Sequence, residues 1–432
     1  MQSSATARND LPGNPNIKMK KLHLTDEQSY IFDVNDRSKG TPYNISFEIR
    51  FSRHFPVEQL RHAVKKCLLP ADISGAKCFT DGNEKHMEFS APTIPEIKTY
   101  NFPSTEQYQR YCDSIPEKEI NNRDKLFHAF IYSINNSFNN LHFCFNHLVF
   151  DGISGIILYE AIQKVLLDEH TEIHWHPFAS HLEKVRLNST RISHIDDEKF
   201  WETKFHELSR CEPIFKDAIG IEESDATSLN FQLDKESKSA LLGYCEQKKI
   251  SPYLVISSAL AELLAKKNGC QRISIEIPIG NRVGKEEKNS IGAYEIAAPF
   301  TFDFSNSNKL NDAIESAKIQ SREFYRHKDF PWSNGIISPS NMEKNGPYTP
   351  QVEVSYFCFN KNHSLGFASL HHHNSKSSNL PFSLYISDYL DYEEMSFYYI
   401  FWGQYISCAT IIEIQNELEC SLIELVRIGR VQ

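Results

Sequence analysis

The chain lacks the segments that would mark it as a membrane protein or as a nucleotide-binding enzyme. No window approaches about 18 uninterrupted apolar residues, so no membrane-spanning helix is expected. Neither of the two common phosphate-binding patterns, GxxxxGKS/T or GxGxxG after a strand, occurs in it. The polar stretch after Met1 has no apolar centre, so no secretory signal peptide is expected. ATP and dinucleotide cofactors are therefore not expected.

Paired cysteine motifs and an excess of positive charge are also missing. The ten cysteines are scattered and form no CxxC. Such usage is typical of reduced thiols, and it predicts a cytoplasmic protein. The net charge of -10 argues against a general nucleic-acid binder, which would need a basic face. With 40% hydrophobic and 24% charged residues, the composition is that of an ordinary globular protein.

One short segment, residues 146–152 (NHLVFDG), combines a titratable side chain with a turn signal. Alternating residues before it predict a strand, and apolar residues at helical spacing after it predict a helix. His147 would therefore lie at a strand end, where an imidazole that titrates near neutral pH can accept and return a proton. The alternative is that His147 is an ordinary packed or surface histidine, because an HxxxD pattern is common.

Asp151, four residues after this histidine, also has two interpretations. It could orient the imidazole as the carboxylate of a catalytic triad does. It could instead pair with a cation and hold the loop in shape. Gly152 fits the second interpretation, since Asp-Gly favours a tight turn.

The segment 124–166 resembles the centre of nonribosomal peptide synthetase condensation domains, which carry His-His-x-x-x-Asp-Gly between a strand and a helix. That family belongs to the chloramphenicol acetyltransferase-like acyltransferases. The resemblance covers roughly residues 20–425. Further segments resemble the other motifs of the family in the family's order: 24–30 with 43–44, 199–201, 277–282, 291–300, 327–332 and 348–360.

Two departures from the family pattern indicate a divergent member. The first histidine of the family's pair is Asn146 here, while the second, which is the family's catalytic position, is His147. The family's RHExLRT element is also absent, because residues 64–70 (VKKCLLP) stand in its place. Asn146 can still donate and accept hydrogen bonds, so it either replaces the first histidine structurally or only fills space.

The resemblance implies an α/β fold of two chloramphenicol-acetyltransferase-like sandwich lobes, arranged as a V-shaped pseudo-dimer around a cleft. The length of 432 residues suits two domains of roughly 200 residues each. Alternating strand and helix patterns in both halves agree with this. We expect a disordered leader at 1–18, an N-terminal lobe at 19–175 and a C-terminal lobe at 176–432. The polar, histidine-rich stretch 168–197 is expected to cross between the lobes.

The resemblance also implies a reaction. An acyl or aminoacyl group, held as a thioester on the phosphopantetheine arm of a carrier protein, is attacked by an amine, and an amide results. His147 would act as general base or would align the amine. Because an α-amine has a pKa near 8 and is partly neutral already, positioning with modest base catalysis is favoured.

The family's pattern assigns roles to the remaining motif residues. Asp151 is expected to pair with Arg282 as a brace of the loop across the lobe interface. Gly152 would offer a backbone N–H near the thioester and leave room for the pantetheine arm, and Ser154 is placed with Asn146 and Gly152 around the substrate and the loop. No cofactor is expected on this chain. No carrier motif or adenylation signature occurs, so a freestanding enzyme with acyl or peptidyl carrier proteins in trans is expected.

Histidine clusters elsewhere could suggest a metal. The run 371–373 is expected to be a solvated loop, because adjacent histidines do not share one face of a strand or helix. The histidines 170–194 fall in the expected crossover, and His327 is expected to be structural or to line the cleft. No metal site is therefore predicted.

Two other functions remain open at this stage. The first is an ester-forming or acyl-CoA-dependent acyltransferase of the same superfamily, which the HxxxDG pattern does not separate from an amide-forming enzyme. The second is a catalytically silent protein that only docks carrier proteins, which Asn146 and the missing RHExLRT element would allow.

Overall fold

The computed structural model describes residues 20–37, 43–189, 195–219, 224–305, 310–328, 350–359, 365–373, 377–389 and 394–429. These residues form a mixed α/β structure with three sheets. The expected leader at 1–18 lies outside them. Within them, no helix is both long and apolar enough to cross a bilayer.

The first half of the chain builds a small three-stranded sheet, ordered β1-β4-β3, and most of a five-stranded sheet. Alternating apolar residues of the larger sheet pack under helices α2 and α5, as the period of two requires. Its elements are β1 (Lys20–His23), α1 (Asp26–Arg37), β2 (Asn44–Phe51), α2 (Val57–Leu68), β3 (Ala76–Asp81), β4 (Glu84–Phe89), β5 (Lys98–Phe102), α3 (Thr105–Cys112), α4 (Ile115–Lys118), β6 (Phe127–Ile134), β7 (Asn140–Asn146) and α5 (Gly152–Leu167).

The second half builds a seven-stranded sheet, ordered β10-β9-β11-β14-β15-β8-β13. One face of this sheet packs on helices α8, α9 and α11 around a core of Ile, Leu, Val and Phe side chains. Its elements are α6 (Phe178–Ser189), α7 (Ile195–Leu208), β8 (Ser224–Leu233), α8 (Lys235–Lys248), α9 (Pro252–Asn268), β9 (Arg272–Gly280), β10 (Glu295–Asp303), α10 (Leu310–His327), β11 (Val352–Phe359), β12 (Ala368–His373), β13 (Ser377–Ser378), β14 (Phe382–Tyr389), β15 (Met395–Trp402) and α11 (Cys408–Gly429).

Strand β12 does not join the sheet of its own half. It pairs antiparallel with β2, so the five-stranded sheet has the order β12-β2-β7-β6-β5. Helix α6 also packs on the first-half core, through Phe178 and Leu182. The boundary at 175/176 stays a prediction, but two segments that follow it contribute to the first-half core.

Three expectations about local structure need correction or refinement. Residues 371–373 are not a solvated loop, because they form the end of β12 and pair with β2. The stretch 168–197 is not merely a polar crossover, since α6 lies within it and buries His181 against Tyr294. His327 stacks on Phe200 and contacts Asp197 through Nδ1 at 2.6 Å, as a packed structural residue does.

Candidate active site

His147 lies directly after β7, where it continues the pairing of β7 with β2. Its backbone N–H donates to the carbonyl oxygen of Tyr43 at 2.9 Å, one step beyond the Asn44–Asn146 pair. The imidazole is half-buried. Its Nδ1 atom is buried and finds no hydrogen-bond partner among the described residues. The backbone of His147 is therefore fixed, while its ring is left available for a further interaction.

Asn146 builds the turn that presents this histidine. The side chain is completely buried, and its Nδ2 donates to Asn122 Oδ1 at 2.9 Å and to the Asn121 carbonyl at 3.2 Å. Its Oδ1 accepts the backbone N–H of Leu148 at 3.0 Å. These bonds satisfy a buried polar side chain and shape the turn at once. They agree with the interpretation of Asn146 as a structural replacement.

Asp151 and Arg282 form a buried ion pair behind the turn. Arg282 Nη2 donates to Asp151 Oδ1 at 2.7 Å, and the two side chains are 4% and 1% exposed. Asp151 also caps α5, because its Oδ1 accepts the Ser154 backbone N–H at 2.7 Å. Its Oδ2 accepts the N–H of Tyr294 at 3.0 Å, and the Arg282 guanidinium lies 4.0 Å from the centre of the Tyr294 ring. This Asp151–Arg282 pair connects the start of α5 to the second-half sheet.

Ser154 belongs to the same bonded group. It is fully buried, accepts from Arg282 Nη2 at 2.7 Å and donates to the Gly292 carbonyl at 2.8 Å. The backbone N–H of Gly292 returns a bond to its Oγ at 3.0 Å. With these partners, the Ser154 hydroxyl is engaged in the brace, and its expected role towards a substrate stays a prediction.

Gly152 allows close contact between the two halves. A Cβ atom built at this position would lie 2.4 Å from the Phe357 ring on β11. A similar contact occurs nearby, where a Cβ at Gly280 would lie 2.8 Å from Ile153. The space beside Gly152 is thus filled by an aromatic ring, and its expected role towards a pantetheine arm stays a prediction.

Three glutamates on neighbouring strands of the second-half sheet, Glu276 on β9, Glu295 on β10 and Glu353 on β11, form what we call the acidic wall. Glu353 lies directly beside Glu276 in the β11–β9 register. Each strand turns its alternate, apolar residues towards the helices, so the glutamates face away from that core and towards the first half. Among the described residues, none of the three forms an ion pair with a lysine or arginine.

The acidic wall has unusual proton affinities. Burial, followed by the charge of Glu295, raises the pKa of Glu353 to about 7, while the charge of His147 opposes this rise. Burial and the neighbouring Asp151 raise the pKa of Glu295 to about 8. Burial and Glu353 raise the pKa of Glu276 to about 8. The wall therefore lies within electrostatic reach of His147 and gains from any cation placed between them.

Sequence reasoning missed the acidic wall, although a signal for it was present. In β9 (RISIEIPIG) the glutamate lies between isoleucines that recur at every second position, and in β11 (VEVSYFCF) another glutamate lies between two valines. A polar residue on the open face of an otherwise apolar strand is typical of a lined cavity or interface. No comparable sequence pattern indicated that Phe357 would pack against Gly152.

Sequence comparisons identify a family for most of the chain. The model of the condensation domain matches residues 18–426. Among curated proteins, surfactin synthase subunit 1 of Bacillus subtilis (strain 168) is 23% identical over 232 residues, and the match covers 51% of this chain. Tyrocidine synthase 3 of Brevibacillus parabrevis is 20% identical over 256 residues. The matches cover only 6% and 4% of these much longer proteins.

Solved structures confirm the predicted fold class. The first condensation domain of the calcium-dependent antibiotic synthetase, in complex with a substrate analogue, superposes with a TM-score of 0.78 at 13% identity, covering 94% of this chain and 96% of that one. The epimerization domain of tyrocidine synthetase B superposes with 0.79 at 14% identity, covering 97% and 99%. The starter condensation domain of rhizomide synthetase, in complex with C8-CoA, gives 0.77 at 13% identity over 95% of each chain. The fold is thus shared by domains with different reactions.

Proposed function

Since the chain belongs to the condensation domain family, we propose that it joins an acyl or aminoacyl thioester, carried on the phosphopantetheine arm of a carrier protein, to an amine. The product is an amide in nonribosomal peptide or related secondary-metabolite biosynthesis. The carriers act in trans, and we place the reaction in the cytoplasm.

The observation that carries this proposal is the state of His147. Its backbone is fixed by Tyr43, its ring is half-buried, and its Nδ1 has no partner in the described chain. This histidine also stands at the end of β7, in the turn that the buried Asp151–Arg282 pair holds, which is the position of the family's second motif histidine. An imidazole in this state can align an attacking amine or take its proton as the tetrahedral intermediate forms.

The acidic wall favours an amine over a hydroxyl as the acceptor. A cation beside Glu276, Glu295 and Glu353 would stabilise their charged forms, because burial and neighbouring carboxylates raise their pKa values and none of the three forms an ion pair with a lysine or arginine of the described residues. A protonated amine supplies that charge, whereas an alcohol does not. The amine can then pass its proton to the wall and enter the reaction in neutral form.

Product formation by purified protein tests the role of His147. Carrier-loaded acyl thioester and a panel of amines are incubated with the chain, and the products are identified by mass spectrometry. We expect His147→Ala to lower turnover by about 10²–10⁴-fold, which is the usual contribution of such a group. His206→Ala, an exposed histidine on α7, is the control and should retain full activity. Equal turnover of both variants would end the proposal.

A length-matched pair of acceptors tests the amine preference. We expect a diamine to react with a lower KM than the amino alcohol of the same length, which carries one positive charge fewer, by about tenfold if one charge contact is worth about 1.4 kcal/mol. Glu353→Gln should reduce this preference. If the Glu353→Gln variant keeps the full preference for the diamine, the acidic wall is not the cause of that preference.

The same assay distinguishes the two remaining functions. Transfer from acyl-CoA as readily as from the holo-carrier, or transfer to hydroxyl acceptors, would favour the acyltransferase. Carrier binding without any transfer would favour the silent docking protein.

A further inference from the structure

The five-stranded sheet carries titratable side chains on the face opposite to helices α2 and α5. In the β12-β2-β7 register, Glu48 lies between His371 and His142, and Ser46 is the partner of His373. Directly paired residues point to the same side of a sheet, so these five side chains share one face. The first and third histidines of the run 371–373 therefore share one face of the sheet, although adjacent histidines of a strand do not.

Helix α3 covers this face and adds a thiol. Cys112 Sγ lies 3.6 Å from His142 Nδ1, and both side chains are buried. The ring of His373 lies 5.2 Å from that of His142. One ligand atom from each of Cys112, His142 and His373 can be chosen so that all three lie within 4.8 Å of one another. Helix, sheet and crossover strand thus converge on one point.

The separation of the sulfur and the nitrogen suits a shared metal ion. A tetrahedral zinc ion with a bond of about 2.3 Å to sulfur and about 2.05 Å to nitrogen holds these two atoms about 3.5 Å apart. The Cys112–His142 distance is 3.6 Å. Two such ligands already stand at the spacing of a coordination sphere, and His373 needs only a small approach.

The hydrogen bonds of His142 leave the correct nitrogen for a metal. Its Nε2 lies 2.9 Å from Ser46 Oγ, and that hydroxyl donates to the Phe143 carbonyl at 3.3 Å. With the serine proton used in this way, the His142 tautomer that carries its proton on Nε2 can donate to Ser46 and offers the lone pair of Nδ1 to a metal. That lone pair faces Cys112. Histidine ligands of metals are commonly held by such a bond from the other ring nitrogen.

The second neighbour of this nitrogen does not supply a proton to it. The Tyr108 hydroxyl lies 2.9 Å from His142 Nδ1, but it donates to Glu48 Oε2 at 2.6 Å. Burial alone would raise the pKa of Glu48, yet hydrogen bonds from Tyr108 and Tyr132 and the charge of Arg50 outweigh it and lower that pKa. Glu48 is thus an anion close to the cluster, where it favours a nearby cation.

We infer that Cys112, His142 and His373 bind one zinc-like divalent ion, with a water molecule or a nearby oxygen in the fourth position. Binding exchanges one proton: the ion takes the place of the thiol proton of Cys112, which leaves to solvent, and both imidazoles coordinate in their neutral form. A soft thiolate with two imidazoles is a donor set that zinc prefers over magnesium or calcium.

The protonation states of the imidazoles agree with this exchange. Burial lowers the pKa of His142 well below its ordinary value and also lowers that of His373, so neither imidazole must lose a proton first. Because binding displaces the thiol proton of Cys112, metal uptake should strengthen as the pH rises.

This ion would be structural. His142 lies five residues before His147, which is about 16 Å along a strand, so the metal is not part of the proposed reaction. It would link α3 and β7 to β12, the strand contributed by the second half. The Gln109 amide, 3.1 Å from His373 Nε2, holds that ring from the solvent side.

Cobalt titration of the full-length, chelator-treated protein tests the site. We expect one Co²⁺ per chain, with the near-ultraviolet charge-transfer band of a thiolate ligand and the visible bands of a tetrahedral ion, and we expect Zn²⁺ to displace it. Cys112→Ser should abolish the charge-transfer band. His373→Gln should weaken binding at least about tenfold. It removes a direct ligand, and even the loss of a group that only hydrogen-bonds to a ligand has an effect of that size.

Matched controls separate this site from other histidines and thiols. Cys78→Ser removes a buried thiol elsewhere, and His371→Gln changes the same face of β12 outside the ligand set; both should bind Co²⁺ like the parent chain. The group His23, Glu84 and His86 could also take an ion, but it has no thiol and cannot give the band. Circular dichroism verifies that each variant is folded. Absence of the band in the parent chain, or its persistence in Cys112→Ser, would overturn the inference and leave a hydrogen-bonded Cys112–His142 pair.

Discussion

Carboxylates on the two sides of the turn that carries His147 differ in their hydrogen-bond partners. On one side, both oxygens of Asp151 are used, by Arg282, by the start of α5 and by the backbone of Tyr294. On the other side, the Glu353 carboxylate accepts from the Ser355 hydroxyl at 3.0 Å and has two further glutamates as neighbours. The first carboxylate holds the structure together, while the others add repulsion to it.

This contrast indicates a division of labour. A buried charge that is fully hydrogen-bonded is costly to disturb and gives rigidity. The glutamates of the acidic wall instead retain protons more strongly than ordinary carboxyl groups, since their pKa values are raised to about 7 or 8, and active sites are a common place for such groups. The Asp151–Arg282 pair thus positions the turn, and the acidic wall is prepared for a ligand.

Removing the paired carboxylate should give the largest effect. We expect Asp151→Ala to lower the free energy of unfolding by about 3–5 kcal/mol, because Arg282 is left buried and uncompensated. Denaturant unfolding measures this loss. Asp225→Ala, an exposed position on β8, should have little effect on stability. A soluble Asp151→Ala protein with the melting temperature of the parent chain would show that the pair does not brace the turn.

A larger residue at Gly152, directly after Asp151, should have an intermediate effect on stability. We expect Gly152→Ala to destabilise the protein by about 1–3 kcal/mol, since its Cβ would overlap the Phe357 ring and the core must adjust. Adding Phe357→Leu should restore part of the loss. If the double variant is no more stable than the single one, the overlap with Phe357 is not the cause.

Neutralising the acidic wall should change the pH dependence of stability. The pKa values of Glu276, Glu295 and Glu353 rise from 4.5 to about 7 or 8 on folding, so the native state keeps protons that the unfolded chain releases. The free energy of unfolding should therefore fall as pH rises from about 4.5 to 8. Replacing all three by glutamine should remove that fall, while glutamine at the exposed Glu246 on α8 should not. A difference curve that is flat over this range would contradict the raised pKa values.

Much of the fold was accessible to sequence reasoning because the periodic signals were strong. The strand predicted before residues 146–152 is β7, and the helix predicted after them is α5. The turn around His147 was located because a strand, an Asp-Gly signal and a helix follow one another. Local chemistry determines such features.

The features that sequence reasoning missed depend on contacts between distant segments. Nothing in the run of histidines 371–373 indicates that it would pair with β2, over 300 residues away, and its polar letters favoured a loop. The acidic wall needed the β11–β9 register before Glu353 could be placed beside Glu276. Ser154 was placed around the substrate and the loop, but its bonds to Arg282 and Gly292, which lie 128 and 138 residues later, depend on the tertiary fold.

The pairing of β12 with β2 also bears on whether the molecule can be divided. Without residues 368–373, the backbone groups of β2 would form a bare sheet edge, and such edges invite pairing between chains and aggregation. A fragment that ends near the middle of the sequence would therefore be unsuitable for fusion to another protein, however well its own hydrophobic residues pack. Recombination of this protein with its relatives should exchange both halves together.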